Sequence, residues 1–474
     1  MKEISIARFN AIAGYARQPM SQVYGEEISY FEGANGLIMG MLIRDRSDDD
    51  FSGILFGQDK KLRFRWTAMT DFFRAKEEAL DALQLRMQEA LIAPAEQHHQ
   101  GDEVGDPVDF FTPIHEPERL NPHFMNLVNE GAFSPAKEII EPMMRWYEDA
   151  DGNFVEQFQT TGFDQRIWEL YLFSMLIELG YVIDREKAVP DFCCSGLQGQ
   201  MAIEAVTVGP TRNGEEIVPP PPTDTPEQQT AYLKDYMPIK FGSPLYSKLG
   251  KKYWEHDHTA GIPLVLAIAD FSSPGSMVHT KSALERYLFG FSYSTIFGQN
   301  GRPTINASKI ESHNWQGKTI PSGFFDILEA ENISAVISTT AGTVSKFNRI
   351  GLSAGFGNGK VLMIREGTLV DHDPDATNPL YFKGIVNAPG YDESWIERLN
   401  VYHNAKAKIP LPEHMFTNAA HHHCDAKGNW TAKTPKFHPM ASVTQLLAPV
   451  DVEKALKDAD GDLFRVWKKT RKEE

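Results

Sequence analysis

GFDQRIWELYLFSMLIELGY (162–181), AVPDFCC (188–194) and MAIEAVTV (201–208) are neighbouring segments whose reading decides the architecture. The first has the length and apolar density of a buried helix, and Gly180 is placed to end it. Inside it, Glu169 is bracketed by Ile167, Trp168, Leu170, Tyr171, Leu172 and Phe173, with Leu172 and Phe173 beside it on a helical wheel. Such a carboxylate is partly buried or stands at the mouth of a cleft, and burying one without a partner is costly. The second segment is a short strand that opens at Pro190 with Asp191 directly after it. The third alternates with period two: Ala202, Glu204, Val206 and Val208 share one face, and Ile203, Ala205 and Thr207 the other. GLQGQ (196–200) between them is a hairpin turn.

Three carboxylates in apolar surroundings call for a common cause. A divalent cation is one, and hard oxygen ligands suit Mg²⁺ or Mn²⁺. Such an ion polarises a phosphodiester and lowers the pKa of an attacking water. Each residue also has a plainer reading. Glu169 can face solvent on an amphipathic helix, Asp191 can cap backbone N–H groups at a strand start, and Glu204 can be a charge on an edge strand.

Downstream, PIKFGSPLYSKLGKKYW (238–254) is predicted to be helical, with Lys248 and Lys252 four apart on one face and Leu245 and Leu249 on a neighbouring one. GIPLVLAIADF (261–271) is a continuous apolar run, which fits a strand covered on both faces.

A helix carrying Glu, then a hairpin with PD on one strand and an ExK-like pattern on the next, resembles the PD-(D/E)XK nuclease superfamily, which includes restriction endonucleases. The helix glutamate corresponds to Glu169, the PD pair to Pro190–Asp191 and the (D/E)XK glutamate to Glu204, with twelve residues between Asp191 and Glu204. The resemblance covers about residues 162–271. It implies a mixed α/β (α+β) chain with a restriction-endonuclease-like α-β-β-β-α-β core. It further implies a metal-dependent phosphodiester hydrolase that uses Mg²⁺ or Mn²⁺ held by Asp191, Glu204 and Glu169. DNA rather than RNA is the expected substrate, in defence or genome maintenance, and analogy suggests a homodimer or a partner protein. The sequence departs from the family at the lysine position, which holds Val206. The family's lysine orients the attacking water and stabilises developing charge, so a lysine of the following helix is expected to replace it: Lys252 first, then Lys248, then Lys240. A second reading is a nuclease scaffold that has lost cleavage and serves as a binding module. Val206 and a net charge of −17, which opposes a broad electrostatic grip on nucleic acid, both favour it.

The flanks organise around this core. Residues 1–93 are expected to form a β-rich region (ISYFE, GLIMGMLIRD, FSGILFG and KLRFRW as strands) ending in a helix over 72–92, with Phe73, Leu80, Leu83, Met87 and Leu91 along one stripe. Residues 94–134 are expected to be a polar linker and 135–345 the core. Within the core, a Pro-rich insertion at 209–229 holds four consecutive prolines that forbid regular structure. A mixed C-terminal region, 346–474, is expected to end in a basic-aromatic helix from Ala455. AAHHHCDAKGNW (419–430) gathers His421, His422, His423 and Cys424. Three adjacent histidines cannot all point one way, so a polar loop is expected there in preference to a zinc site. DADGN (149–153), DHDPDATNP (371–379) and GFGNGK (355–360) imitate calcium or phosphate loops but lack the residues those loops need, and are expected to be turns.

Composition sets the outer limits. A chain of 474 residues, 42% hydrophobic and 23% charged, can build two or three ordinary cores. It holds no apolar run long enough for a membrane span, and its start lacks the apolar stretch of a signal peptide, so a cytoplasmic protein is expected. Three cysteines, Cys193, Cys194 and Cys424, are too few for a disulfide framework.

Overall fold

The computed structural model describes residues 1–147, 152–214, 216–297, 303–373, 376, 378–459 and 461–468. The first region is a five-stranded antiparallel sheet, β1 (Lys2–Ile4), β2 (Gly25–Glu32), β3 (Ile38–Asp45), β4 (Phe51–Gln58) and β5 (Phe64–Met69), in that spatial order. Helix α1 (Lys76–Ile92) packs across it, burying Ala79, Leu83 and Met87. Gly40 and Gly53 permit that closeness, because a Cβ on either would stand 2.7 Å from Met87 or Leu83. Residues 94–134, expected as a linker, instead lend Phe110, Phe111, Leu120, Phe124 and Leu127 to the largest apolar core.

The centre is an eight-stranded mixed sheet. Its strands are β6 (Val182–Asp184), β7 (Phe192–Gly196), β8 (Gly199–Val208), β9 (Leu264–Asp270), β10 (Ala335–Ser338), β11 (Asn400–His403), β12 (Ala420–Cys424) and β13 (Trp430–Lys433), side by side in chain order. β6, β7 and β8 form an antiparallel meander, and β9 and β10 run parallel to β8. Two layers of helix cover the sheet. On one side lie α2 (Ser134–Trp146) and α3 (Phe163–Glu178); on the other lie α4 (Met237–Leu249) and α5 (Met277–Phe289). The alternation in β8 decides which residue meets which layer. Met201, Ile203 and Ala205 join the α3 core, while Ala202, Val206 and Val208 join the α4 core. β9 is buried at every residue, as a strand roofed on both faces must be. With the insertion set aside, the order from α3 to β9 is α-β-β-β-α-β. The insertion itself, expected to lack regular structure, holds a short antiparallel hairpin (Thr211–Asn213 with Glu216–Val218) and a helix over Pro226–Ala231 capped by Thr225, and the four prolines between them are irregular. The sheet continues past residue 345 through β11–β13, so the third and fourth sequence regions share one sheet.

A second, four-stranded antiparallel sheet near the C-terminus orders Pro439–Leu447, Leu362–Leu369, Leu380–Ile385 and Phe464–Trp467. Helix α6 (Val344–Ser353) follows β10 and packs on α2. The expected C-terminal helix reaches only Val452–Asp458. Gly461, at φ 82°, turns the chain, and Phe464–Trp467 continues as a strand against Leu380–Ile385. The histidine run is likewise strand β12 and not a loop, with His421 and His422 buried between β11 and β13. Parts of DADGN and DHDPDATNP fall outside the described residues, whereas Gly355–Lys360 is an irregular turn. No helix among the described residues is long and apolar enough to cross a membrane.

Candidate active site

Strand register brings Asp191 and Glu204 together. Phe192 pairs with Ile203, so Asp191, one residue earlier, stands across from Glu204, one residue later. The Asp191 amide donates to Glu204 Oε2 at 3.3 Å, and the Ala205 amide donates to Asp191 Oδ2 at 2.7 Å. Asp191 Oδ1 accepts no hydrogen bond among the described residues. Glu204 lies on β8 between β7 and β9 and is 4% exposed, which removes the edge-strand reading.

The period-two pattern aims Glu204 at the α4 layer, where Lys248 donates from Nζ to Glu204 Oε1 and Tyr253 donates from its hydroxyl to the same oxygen at 2.7 Å. Lys248 therefore stands beside Glu204 on the side of the sheet on which Val206 lies buried. Lys252 is not brought there. Helix α4 ends at Leu249, and Lys252 follows in the left-handed conformation at φ 53°, so the one-face relation with Lys248 is lost. Its ammonium pairs with Glu329 at 2.6 Å. Lys240 binds Gly209 O at 2.8 Å and Thr211 Oγ1 at 3.0 Å.

Glu169 is 1% exposed, so it does not face solvent. α3 is buried almost all round, and the carboxylate is held by its own neighbours. Arg166, one turn earlier, donates to Oε2 at 2.7 Å, Tyr147 donates to Oε2 at 3.0 Å, and Gln165 to Oε1 at 3.0 Å. Arg185 stacks over the Tyr147 ring at 4.2 Å and reaches Asp191 O at 3.4 Å. Glu169 stands apart from the Asp191–Glu204 pair but still acts on it electrostatically. Burial, then Glu204, then Glu169 push the Asp191 carboxyl up to about 7, while the Ala205 amide and Lys248 pull the other way.

Among the described residues, no three Asp, Glu, His or Cys side chains form a ready-made metal shell. Arg166 engages Glu169 and Lys248 engages Glu204, so Asp191 is the member with a free oxygen. The donor set is nonetheless all oxygen, and the raised Asp191 marks a site short of positive charge. Both properties fit a hard divalent cation on Asp191 and Glu204.

A cleft of about 1050 Å³ runs past the end of β8, lined by Thr207 and Val208, by α4 and by the proline-rich insertion. Lys240, Lys318, Tyr236 and Trp315 face into it. The histidines form a separate hydrogen-bonded group, in which His422 Nδ1 alone is buried without a partner among the described residues. His403 Nε2 meets His421 Nδ1 at 2.9 Å, His422 Nε2 meets Asn400 Oδ1 at 2.9 Å, and His423 Nε2 meets Glu413 Oε1 at 2.9 Å. Burial first, then charged neighbours, lowers His403 to about 3. Cys193 and Cys194 pack on β7 with thiols pushed up by burial, Cys193 to about 11, which keeps them unreactive.

Sequence reasoning missed Tyr253, Tyr147 and Arg166. Arg166 carried a usable signal, an opposite charge three residues from Glu169, whereas the tyrosines are supplied by remote elements. Compared with family models, curated proteins and solved structures, the chain matches none.

Proposed function

We propose that the chain is a divalent-cation-dependent phosphodiester hydrolase of the PD-(D/E)XK type, acting on nucleic acid, DNA in preference to RNA, in the cytoplasm. The observation that carries this reading is the trio of Asp191, Glu204 and Lys248, set on a strand hairpin and on the helix that crosses from it to the next parallel strand. Asp191 and Glu204 would hold Mg²⁺ or Mn²⁺, whose chemistry is to polarise the phosphodiester and acidify water. Lys248 then serves two purposes for the chain. Beside Glu204, its charge would stabilise charge developing on the phosphorane, and its flexible stem would let the ammonium leave Glu204 for a substrate oxygen. Tyr253 keeps Glu204 oriented when it does so. Glu169, fixed by Arg166 and Tyr147, acts as a positioning charge on the α3 side. The cleft carrying Lys240, Lys318, Tyr236 and Trp315 offers a backbone track with stacking rings, a local basic path on an acidic protein.

A scaffold that has lost cleavage is favoured by one observation: Lys248 and Tyr253 together already satisfy Glu204 Oε1. One experiment separates the two. Plasmid, single-stranded DNA and RNA are incubated with Mg²⁺ and with Mn²⁺, comparing wild type with Glu204→Gln and Asp191→Asn. Metal-dependent cleavage abolished by both substitutions supports the hydrolase. No cleavage of any substrate, or cleavage that both variants retain, leaves the scaffold reading.

A further inference from the structure

The carboxyl ends of parallel strands β9 and β10 lead to a second polar centre that shares no residue with the carboxylate site. Four buried cations, Lys346, Arg349, Arg365 and Arg398, gather there around two buried carboxylates, Glu393 and Glu397. Arg349 forks onto Glu393 at 2.7 and 2.8 Å, and Arg365 reaches Glu397 at 2.5 Å and Glu393 at 3.5 Å. Lys346 donates to the carbonyls of Trp395 and Glu397 at 2.9 and 3.0 Å, and its ammonium lies 4.0 Å from Glu393. The two anions are thereby used up.

Arg398 is left over. It is 5% exposed and forms no ion pair among the described residues. Nη1 donates to Ser442 Oγ at 2.9 Å, Nη2 donates to the Thr340 hydroxyl and to Met440 O at 3.3 Å, and Nε is buried without a partner. Its backbone is left-handed at φ 72°, a conformation that costs a non-glycine residue free energy. Burial first, then Arg365 and Arg349, lowers its guanidinium to about 9. A desolvated guanidinium with no carboxylate at ion-pair distance, pressed by neighbouring cations more than Glu397 and Glu393 offset, and held on a strained backbone, is poor for stability. Both features are those of a residue kept for a ligand.

The guanidinium faces a cavity of about 410 Å³, within the range of small-molecule sites. Thr340, in the loop after β10, supplies a hydroxyl beside it and Met277 at the start of α5 is a further lining residue, whereas the Ser442 hydroxyl is taken by Arg365 and Arg398 on the inner face of the sheet. Ligands of open α/β sheets bind at such carboxyl ends. The lining also includes an aromatic pair: Tyr381 and Trp467, cross-strand partners, stack at 6.0 Å with an interplanar angle of 27°, and the Arg465 guanidinium lies 4.8 Å over the Trp467 ring. Glu366 also lines the cavity, and its Oε1 accepts from Gln445 at 3.2 Å. A bare oxyanion would leave most of this volume, and the aromatic pair, unused.

We infer that this cavity binds a nucleoside monophosphate, with the phosphate on Arg398 and Thr340 and the base against Tyr381 and Trp467. Arginine and a hydroxyl suit the phosphate, and an aromatic pair suits any base, because every base has a π face.

Thermal unfolding of the full chain is followed with each of the four common nucleoside monophosphates, with adenosine, and with inorganic phosphate. The expected result is a Tm rise on the order of a few degrees with millimolar nucleotide, larger than with phosphate or adenosine. The rise should vanish in Arg398→Gln and persist in Glu204→Gln, which distinguishes this cavity from the carboxylate site. Without ligand, Arg398→Gln should match or exceed wild-type Tm, whereas a structural arginine would lower it on replacement. If that variant fails to fold, Trp467→Ala carries the test: nucleotide affinity should fall about tenfold with the phosphate response unchanged. The inference is overturned if no nucleotide shifts Tm, if the shift survives Arg398→Gln, or if inorganic phosphate alone gives the same shift.

Discussion

Asp191→Asn should stabilise the protein above neutral pH while removing its proposed activity. The carboxyl is pushed from its ordinary 3.8 to about 7 by burial, by Glu204 and by Glu169. A folded-state value above the unfolded one means that the native state holds a proton the unfolded chain has released. Stability from this group is therefore complete below about pH 4, declines as pH rises from 4 to 7, and is at its lowest above 7. Three units at about 1.4 kcal/mol each set a ceiling of roughly 4 kcal/mol, and sharing of the proton with Glu204 brings the expected gain to about 2 kcal/mol. The amide keeps the shape and the oxygen that accepts from Ala205, and removes the negative charge. Urea unfolding of wild type and variant is measured at pH 4.5 and pH 8. The variant should gain about 2 kcal/mol at pH 8 and little at pH 4.5. In wild type alone, Mn²⁺ should recover that stability at pH 8. A variant less stable than wild type at pH 8, or a difference equal at both pH values, would refute the reasoning.

Lys248→Met should abolish cleavage, because Lys248 alone of the candidate lysines reaches Glu204, whereas Lys252→Met, which removes an exposed pairing with Glu329, should leave cleavage near wild type; initial rates with Mn²⁺ check both. Trp168→Ala should cost about 3–5 kcal/mol by denaturant unfolding. Its ring is fully buried, stacks on Tyr171 at 5.2 Å and donates to Ala267 O at 3.0 Å, all of which the substitution removes.

How much of this was legible from sequence follows from where each constraint acts. The hairpin that carries Asp191 and Glu204 was legible because its signals are local, whereas the short strand β6 before it was not read. Alternation over Met201–Val208 fixed the face of Glu204, Gly180 fixed the end of α3, and the unbroken apolar run at Leu264–Asp270 required cover on both sides. The juxtaposition of Asp191 and Glu204 was nearly legible too, since a tight hairpin leaves one register that keeps the apolar face buried. The lysine was not. Helical spacing joined Lys248 to Lys252, but α4 ends at Leu249 and the left-handed Lys252 turns to Glu329, a residue about eighty positions away. The histidine strand misled for a related reason: a run of polar residues reads as a loop until β11 and β13 supply its backbone partners and Asn400 and Glu413 its side-chain partners. The Arg398 centre left no trace in the sequence at all, for Lys346, Arg365 and Arg398 lie on three unconnected elements. Sequence alone determined periodicity, hairpin register and the order of elements, because these depend on neighbours along the chain. Only tertiary structure decided which charges are paired and which is left over, because a buried charge is balanced by whatever packing brings within a few ångströms.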